Sequence, residues 1–348
     1  MTNLCTLFDS NYLSRGLAVY TSLQNVSAKF HLYVVAFDNK CYDYLLKAAL
    51  PDMTVISLND FEDKALLEIK STRSVAEYCW TCTPSVILFC LEKYSLPSCT
   101  YIDADMIFYD DPQLLLDEMS SNSILICEHR HSKDYDVSDT HGIYCVQFMC
   151  FRNTEYGLTA LRWWRERCLE WCYDRLEDGK FGDQKYLDNW LKQFKGIHVL
   201  QHLGGGVAPW NVQQYDFYNS GKKIYLETKS DNIRYPLVFF HFHGLKFYTN
   251  GFVSLCGAIY EVNNKVKEIF YLPYIKKLLQ IESDLKRQLI SFNVNGAKSE
   301  SPAIWQVVTE FLRDFGSMIL RGKASPFKLR NYNFKMHYHF YKTDQFKQ

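Results

Sequence analysis

Short runs of β-branched and aromatic residues alternate with amphipathic stretches over the first 128 residues of the chain. Such runs predict strands, and apolar residues three or four positions apart predict helices. Strands are predicted at 4–8, 31–37, 54–58, 100–102 and 123–127, and helices at about 12–25, 40–50, 74–94 and 113–120. Repeated alternation of strand and helix is typical of an α/β fold with a mostly parallel sheet and helices on both faces.

The pattern loosens after residue 128. Strands are predicted at about 143–151, 197–201, 223–227 and 237–243, and helices at about 155–177 and 183–193. The longer helix carries a stripe of aromatic residues that we expect to pack in the core: Trp163, Trp164, Trp171 and Tyr173.

The last 88 residues differ from the rest in charge. Residues 261–348 carry 15 Lys or Arg against 8 Asp or Glu, a net charge of +7, so residues 1–260 carry −7. Helices are predicted at about 262–290 and 302–320, before a basic and aromatic end over 327–347. The charge predicts a main domain over 1–260 and a helical, basic C-terminal extension over 261–348. This extension can pack on the main domain as a solvated appendage or contact an anionic lipid surface.

Composition limits the class of protein. The chain has 348 residues, 47% of them hydrophobic, and its 39 basic and 39 acidic side chains cancel. These values exclude a disordered chain and a strongly charged surface of the kind that binds nucleic acid. The amino-terminal residues lack the features of a secretory signal, so a cytoplasmic protein is expected. No apolar run approaches the about 18 to 20 residues of a spanning helix, so any membrane contact is expected to be peripheral, on the inner face of the plasma membrane.

The twelve cysteines are expected to be reduced, buried thiols, since no secretory signal precedes them. Cys79 and Cys82 form the one CxxC pair. They lie in a predicted helix, and no second pair follows at the spacing of a zinc site.

Two carboxylates stand two residues apart just beyond a predicted strand, at Asp103 and Asp105. Ligands of open α/β sheets gather at the carboxyl ends of strands. Carboxylates there can hold Mn²⁺ or Mg²⁺ and leave coordination positions open for the phosphates of a nucleotide diphosphate. Short acidic motifs also form turns and helix caps, so the pair alone does not identify a metal site.

A third candidate ligand lies far downstream, in the segment Phe239-Phe-His241-Phe-His-Gly244. The imidazole of His241 can complete a site of two carboxylates and one imidazole. Gly244 would let the backbone approach a phosphate closely, and Lys246 can neutralise a departing diphosphate. The alternative for His241 is a hydrogen-bonded core histidine.

These residues resemble the motifs of GT-A fold glycosyltransferases, similar to glycosyltransferase family 8 and to bacterial nucleotide-diphospho-sugar transferases of surface-polysaccharide loci. Four blocks occur in the family's order over about residues 4–250: segment 6–12, the Asp103 and Asp105 pair, Gly182-Asp183-Gln184, and His241-Phe-His-Gly244. The family usually places Lys-Pro-Trp six residues after the histidine, whereas Lys246 lies five residues after His241 and precedes Phe247.

The resemblance implies a binding site for a nucleotide diphosphate sugar, with UDP-sugar as the expected donor. Tyr12 would stack on the base, while the backbone of Leu7 and Phe8 and the side chain of Asp9 read its polar edge. A plain turn at the end of the strand remains the alternative. The donor-binding residues so implied are Thr6, Leu7, Phe8, Asp9, Tyr12, Arg73, Asp103, Gly244 and Lys246.

The Asp183-Gln184 pair is implied to act at the reacting sugar. Asp183 would accept hydrogen bonds from sugar hydroxyls, and Gln184 would sit beside the anomeric carbon; both could equally cap a helix. Further residues are candidates for lining the acceptor or donor pocket, although the glycines can also form a simple tight connection: Gly204, Gly205, Gly206, Trp210, Asn211, His129, Arg130 and His131.

The resemblance therefore predicts metal-dependent transfer of a hexose to a hydroxyl of a polysaccharide or lipid-linked glycan, with retention of configuration. Two other classes stay open. A sugar nucleotidyltransferase would share the sheet and the metal chemistry, but segment 6–12 lacks the glycines of its phosphate loop. A non-catalytic glycan-binding protein would keep the aromatic surfaces without turnover.

Overall fold

The computed structural model describes residues 1–27, 29–221, 223–230, 232–299, 308–309, 311–312 and 336–346. The strands are β1 (Thr2–Phe8), β2 (Phe30–Ala36), β3 (Met53–Ser57), β4 (Ser98–Ile102), β5 (Met106–Phe108), β6 (Ile124–Glu128), β7 (Tyr144–Arg152), β8 (Ile197–Val199), β9 (Tyr215–Ser220), β10 (Lys223–Thr228), β11 (Arg234–Pro236), β12 (Phe239–His241), β13 (Lys246–Phe247), β14 (Phe252–Ser254) and β15 (Phe340–Lys342). The α-helices are α1 (Leu13–Val26), α2 (Asn39–Ala48), α3 (Leu58–Phe61), α4 (Lys64–Lys70), α5 (Val75–Lys93), α6 (Gln113–Leu116), α7 (Ser138–His141), α8 (Glu155–Glu170), α9 (Trp190–Gln193), α10 (Asn264–Val266) and α11 (Leu272–Arg287).

Seven strands form the central sheet, in the order β3-β2-β1-β4-β7-β6-β8. Neighbouring strands are parallel except at β7, which runs antiparallel to β4 and β6. Small sheets of β9 to β11, of β5 with β12, and of β13 to β15 stand beside it. The predicted α/β class, a mostly parallel central sheet flanked by helices, is confirmed.

The two faces of the sheet bury separate parts of the core. Alternate side chains of a strand point to opposite faces. In β1, Cys5 and Leu7 pack into a cluster with α5 and α8, whereas Leu4 and Phe8 pack into a second cluster with α1, α2 and the end of α11. The sequence pattern predicted all of these helices near their observed bounds except α8.

The predicted helix at 155–177 ends earlier than expected. α8 stops at Glu170, and Trp171 takes an extended backbone (φ −153°, ψ 121°). The carbonyl of Trp171 then accepts a hydrogen bond from the hydroxyl of Tyr186 (2.8 Å). The core prediction holds for Trp164 and Trp171, which are buried, but Tyr173 is half-buried, because it lies in the turn beyond the helix.

The predicted helices at 113–120 and 183–193 are each a 3₁₀ turn combined with one α-helical turn. In the second, a 3₁₀ segment at Lys185–Asn189 precedes α9. Two of its polar side chains bond to a neighbouring loop: Gln184 donates to the carbonyl of His141 (2.8 Å), and Asp188 accepts from the N–H of Ile143 (2.7 Å). These bonds compete with a regular helix.

The described part of the C-terminal extension packs directly on the rest of the protein. The predicted helix at 262–290 is present as α10, a π-helical turn at Lys267–Tyr271, and α11. Phe240 stacks on Phe270 and Phe242 stacks on Tyr274, with ring centroids 4.5 and 3.8 Å apart. β15 pairs with β14. The predicted helix at 302–320 and most of the basic, aromatic end lie outside the described residues, and membrane contact there stays a prediction.

All twelve cysteines are free thiols, and all but Cys79 are buried. The thiols of Cys5, Cys90 and Cys99 lie within 4.8 Å of one another in the core. Burial raises the pKa of Cys5 and of Cys99 well above the ordinary value, so these groups stay protonated and pack as small apolar side chains. Among the described helices, none is long and apolar enough to span a bilayer.

Two adjacent tryptophans of α8 allow a matched test of this packing. Trp164 is fully buried, and its indole N–H donates to the backbone carbonyl of Asp183 (2.8 Å), whereas Trp163 is half-buried. Trp164→Phe should lower the free energy of unfolding by about 2 to 4 kcal/mol, because it opens a cavity and leaves that carbonyl unpaired. Trp163→Phe should cost less than about 1 kcal/mol. Urea denaturation measures the free energy of unfolding of both variants. Equal losses of this free energy would contradict the different roles of the two tryptophans in the core.

Candidate active site

The two predicted carboxylates flank the turn between β4 and β5. Asp103 follows β4, and its backbone N–H donates to the carbonyl of Gln147 in β7 (3.2 Å). Asp105 precedes β5, and its carbonyl accepts from the N–H of Phe242, which follows β12 (2.8 Å). Neighbouring strands therefore fix the backbone on both sides of the pair.

His241 lies at the end of β12, opposite Met106 of β5. Its Nε2 is 3.0 Å from Oδ1 of Asp105 and 3.7 Å from Oδ2 of Asp103. One ligand atom from each of the three residues lies within 4.8 Å of the other two. The structure thus brings together the three side chains that the sequence identified as candidate metal ligands.

The three groups perturb one another's protonation. Burial and the nearby carboxylate of Asp105 raise the pKa of Asp103, against the opposing charge of His241. At Asp105, burial is outweighed by the contact with His241, and the pKa is lowered. At His241, burial is likewise outweighed by the Asp105 carboxylate, and the pKa is raised. Two carboxylates facing one imidazole leave an excess of negative charge that favours a bound cation.

Asp103 and His241 line one wall of a cavity of about 810 Å³. Pockets for small molecules commonly measure about 300 to 1,000 Å³. Aromatic side chains from distant parts of the chain form much of the remaining wall: Trp80, Tyr101, Tyr135, Phe181, Trp210 and Tyr260. The hydroxyl of Tyr101 also donates to Asp103 (3.1 Å). A sugar nucleotide is of a size that such a cavity can hold.

Asp183 and Gln184 line the same cavity, as the motif prediction requires. Asp183 is only 5% exposed, and burial together with the charge of Asp103 raises its pKa to about 8. Gly182 has a left-handed backbone (φ +51°), which lets the chain turn into the cavity before the pair. Neither residue caps an α-helix, because a 3₁₀ turn follows.

Gly244 and Lys246 also line the cavity. Gly244 has φ +79°, a conformation that favours glycine, in the turn between β12 and β13. Lys246 begins β13. The lysine predicted to meet a phosphate therefore lines the same cavity as His241, although its spacing from the histidine departs from the family pattern.

No residue of the amino-terminal segment 6–12 lines the cavity, and its contacts with a base stay a prediction. Thr6, Leu7 and Phe8 are buried in β1, and the hydroxyl of Thr6 makes no hydrogen bond to any described residue. Leu7 and Phe8 point their side chains into the core, which leaves only their backbone for ligand contact. Asp9 accepts from the backbone N–H of Asn11 (3.0 Å) and so caps the turn that follows β1.

Tyr12 is 39% exposed at the end of this turn. Although part of the side chain is exposed, desolvation and then the charge of Asp105 raise its pKa to about 12. The guanidinium of Arg15 lies 4.4 Å from the centre of the Tyr12 ring. Arg15 is itself buried, and it donates to the carbonyls of Asn295 (3.0 Å) and Leu245 (3.1 Å). Through Arg15, the described part of the C-terminal extension therefore helps to hold Tyr12, the tyrosine that is predicted to stack on the base.

Arg73 lies away from the cavity. Its guanidinium stacks on the ring of Tyr173, 4.0 Å from the ring centre, and also hydrogen-bonds the Tyr173 hydroxyl. A further N–H donates to the carbonyl of Leu169 (3.3 Å). These contacts give Arg73 a structural role in the turn after α8, and its contact with a donor stays a prediction.

The three consecutive glycines form a tight connection. A Cβ on Gly204 would lie 1.9 Å from the carbonyl oxygen of Pro236, and one on Gly206 would lie 2.7 Å from the thiol of Cys127. Gly205 accepts a hydrogen bond from Arg130 through its carbonyl (2.8 Å). The structure therefore supports the prediction that these glycines form a tight connection. None of the three lines the cavity.

The residues around this loop divide between the cavity and the framework. Trp210, His129 and His131 line the cavity, and the two imidazoles stack with centroids 4.8 Å apart. Asn211 is buried and donates to the carbonyl of His129 (2.9 Å), as does the indole of Trp210 (2.9 Å). Arg130 donates hydrogen bonds to the carbonyls of Gly205 and Leu200. Contact with an acceptor therefore stays a prediction for the cavity-lining residues alone.

Two residues near the candidate ligands were missed from the sequence. Gln147 is fully buried, and its Oε1 lies 2.7 Å from Nδ1 of His241. A lone amide in the apolar strand Tyr-Cys-Val-Gln-Phe-Met-Cys-Phe-Arg was a usable signal. Arg15 offered no such signal, because its partners lie some 230 and 280 residues away.

Sequence comparison finds relatives without an assigned activity. No family model matches the chain. The uncharacterized protein YfnD of Bacillus subtilis (strain 168) is 29% identical over 277 residues, 78% of this chain and 87% of YfnD. The uncharacterized protein YfnF of the same organism is 29% identical over 289 residues, 79% of this chain and 89% of YfnF.

The solved structures that the chain resembles are glycosyltransferases. The galactosyltransferase LgtC in complex with donor and acceptor sugar analogues is 12% identical, with 80% of this chain and 96% of LgtC covered and a TM-score of 0.48. Mouse xyloside xylosyltransferase 1 is 13% identical, with 57% and 84% covered and a TM-score of 0.38. The glycosyltransferase GlyE of Streptococcus pneumoniae TIGR4 is 14% identical, with 60% and 47% covered and a TM-score of 0.39.

The raised pKa of Asp183 predicts a pH-dependent stability. The unfolded carboxyl ionises near 3.8 and the folded one near 8, so the folded protein holds the proton more tightly and loses stability as pH rises between these values. In metal-free buffer, the wild type should lose up to about 1.4 kcal/mol per pH unit relative to Asp183→Asn, with no further change above the folded pKa. Asp178→Asn, on an exposed turn, is the surface control. Urea unfolding curves from pH 4 to 9 measure this, and parallel profiles for wild type and Asp183→Asn would refute it.

Proposed function

We propose that the protein is a metal-dependent glycosyltransferase that transfers a hexose from a nucleotide diphosphate sugar to a hydroxyl of a glycan. The observation that carries the proposal is the convergence of distant motifs. Asp103, Asp105 and His241 form one cluster, and Asp183 and Gln184 line the cavity beside it. UDP-sugar is the proposed donor, and a polysaccharide or lipid-linked saccharide is the proposed acceptor.

The three clustered side chains suit a hard divalent cation such as Mn²⁺ or Mg²⁺, since carboxylate oxygens with one imidazole are common ligands of these ions. Asp103, Asp105 and His241 would hold it. When bound, the cation supplies positive charge that stabilises a diphosphate leaving group. The excess negative charge of the cluster and its opening into the cavity both support this assignment.

Lys246 and Gly244 would bind the diphosphate. An ammonium group on the cavity wall offsets part of the phosphate charge. The absence of a side chain on Gly244 lets the phosphates approach the backbone closely. Both residues stand within five positions of His241, so the cation ligand and the phosphate-binding groups would share one rigid turn.

Asp183 and Gln184 would hold the donor sugar in the same cavity. Because burial raises the pKa of Asp183 to about 8, its carboxyl carries a proton at neutral pH in the unliganded protein and can donate as well as accept hydrogen bonds. Retention of configuration is proposed on the motif resemblance, with Gln184 beside the anomeric carbon.

Aromatic side chains support a carbohydrate acceptor. The ring of Trp210 stands perpendicular to that of His241, with centroids 5.5 Å apart, and Tyr260 lines the same cavity. Aromatic rings provide rigid apolar faces of the kind that pack against sugar rings. An acceptor placed there would lie next to the proposed donor phosphates.

Binding of UDP tests the proposal. Calorimetry should show that Mn²⁺ strengthens UDP binding at least tenfold, and that Asp105→Ala abolishes this gain, because the ion then loses a carboxylate ligand. Asp110→Ala is the matched control, since Asp110 pairs with Lys223 at the surface. UDP binding that is unaffected by Mn²⁺, or absent under every condition, would overturn the UDP-sugar assignment.

Tyr12 gives a separate test of base recognition. Stacking of a base on an aromatic ring is worth about 1 to 3 kcal/mol. Tyr12→Ala should therefore weaken UDP binding about 5- to 150-fold, whereas Tyr12→Phe should bind nearly as the wild type, because the ring is retained. Both variants should bind inorganic pyrophosphate as the wild type does. Equal UDP affinities for Tyr12→Ala and the wild type would show that the base binds elsewhere.

A further inference from the structure

The buried part of strand β7, residues 144–151, carries a single amide side chain. Gln147 stands in the middle of the strand and is fully buried. A buried amide without hydrogen bonds costs roughly 1 to 3 kcal/mol in proteins. The hydrogen-bond partners of Gln147 should therefore explain why this position holds a glutamine instead of a leucine.

Gln147 contacts two of the three candidate metal ligands. Its side-chain Oε1 lies 2.7 Å from Nδ1 of His241, and its backbone carbonyl accepts the N–H of Asp103. The strand thus reaches the loop that carries Asp103 and the strand that carries His241. No other described contact of His241 involves Nδ1.

We propose that Gln147 is a positioning residue that sets the ring orientation and tautomer of His241 for binding a divalent cation. The inference rests on the metal site of the proposed function. An amide oxygen can only accept a hydrogen bond, so Nδ1 of the imidazole carries a proton. The lone pair available for a cation is then on Nε2, which already faces the carboxylates of Asp103 and Asp105.

The packing around the amide agrees with this role. The side-chain nitrogen of Gln147 is buried beside the thiol of Cys127. A Cβ on Gly206 would lie 2.7 Å from that thiol and 3.5 Å from the nitrogen, so the glycine leaves room for the thiol next to the amide. The indole of Trp210 stands perpendicular to the His241 ring, with centroids 5.5 Å apart.

A double-mutant cycle distinguishes positioning from general support of the fold. Mn²⁺ alone is titrated into the full-length protein, and free Mn²⁺ is followed by electron paramagnetic resonance. Gln147→Leu should weaken Mn²⁺ binding 10- to 100-fold, as loss of an outer hydrogen bond to a ligating histidine does. Gln147→Glu, which keeps the acceptor, should retain wild-type affinity or exceed it. In a His241→Ala background, Gln147→Leu should cause no further loss.

A second readout reports the tautomer directly. In the Mg²⁺-loaded wild type, the Nδ1–H proton of His241 should give a proton NMR signal that is protected from exchange with water. Gln147→Leu should lose that protection, and Gln147→Glu should keep it. Circular dichroism checks folding, and Gln147→Asn, which shortens the amide, replaces Gln147→Leu if the latter does not fold.

The outcomes separate this inference from the proposed function. If the wild type does not bind Mn²⁺, the metal site itself is wrong. If the wild type binds Mn²⁺ and Gln147→Leu binds it equally well, the positioning role is wrong while the metal site stands. The same conclusion follows if Gln147→Leu causes the same loss of Mn²⁺ affinity in the His241→Ala background as in the wild type. An Nδ1–H signal that is equally protected in Gln147→Leu would also refute the role.

Discussion

The short ladder between β5 and β12 is the contact on which the candidate site depends. It pairs three residues of each strand and sets His241 opposite Met106, directly beside Asp105. Phe239 anchors the ladder between Phe108 and Phe148, with ring centroids 5.7 and 5.4 Å away. Because both strands are short, this aromatic packing supplies much of what holds the histidine beside the carboxylates.

The parts of the site that follow local rules could be predicted from the sequence. Asp103 and Asp105 stand where an α/β sheet places its ligands, at the end of a strand, and the strand itself has a clear apolar pattern. The central sheet was predictable for the same reason, since each of its long strands repeats that pattern. The pairing of His241 with this turn came from the motif, because no local rule specifies a contact between residues so far apart.

The remaining features depend on long-range contacts that periodicity does not encode. Helix α8 ends at Glu170 because Tyr186 bonds to the carbonyl of Trp171. Arg15 belongs to an otherwise ordinary helix and takes its role from the carbonyls of Leu245 and Asn295, which lie 230 and 280 residues away in the sequence. Arg73 is predicted to contact the donor, but in the structure its guanidinium stacks on the ring of Tyr173. In each case a distant hydrogen bond or ring contact outweighs the local preference.

The buried cysteines allow local unfolding of the protein to be measured in its native sequence. Eleven of the twelve thiols are buried, and they are distributed over β1, α2, α5, β4, β6, β7, α8, the turn after α8 and the segment after β14. An alkylating reagent reaches such a thiol only when the surrounding segment opens. Brief labelling followed by peptide mass spectrometry would therefore rank these segments by opening free energy without any engineered probe. Four neighbouring strands at the centre of the main sheet, β1, β4, β7 and β6, could be followed in this way in the native sequence.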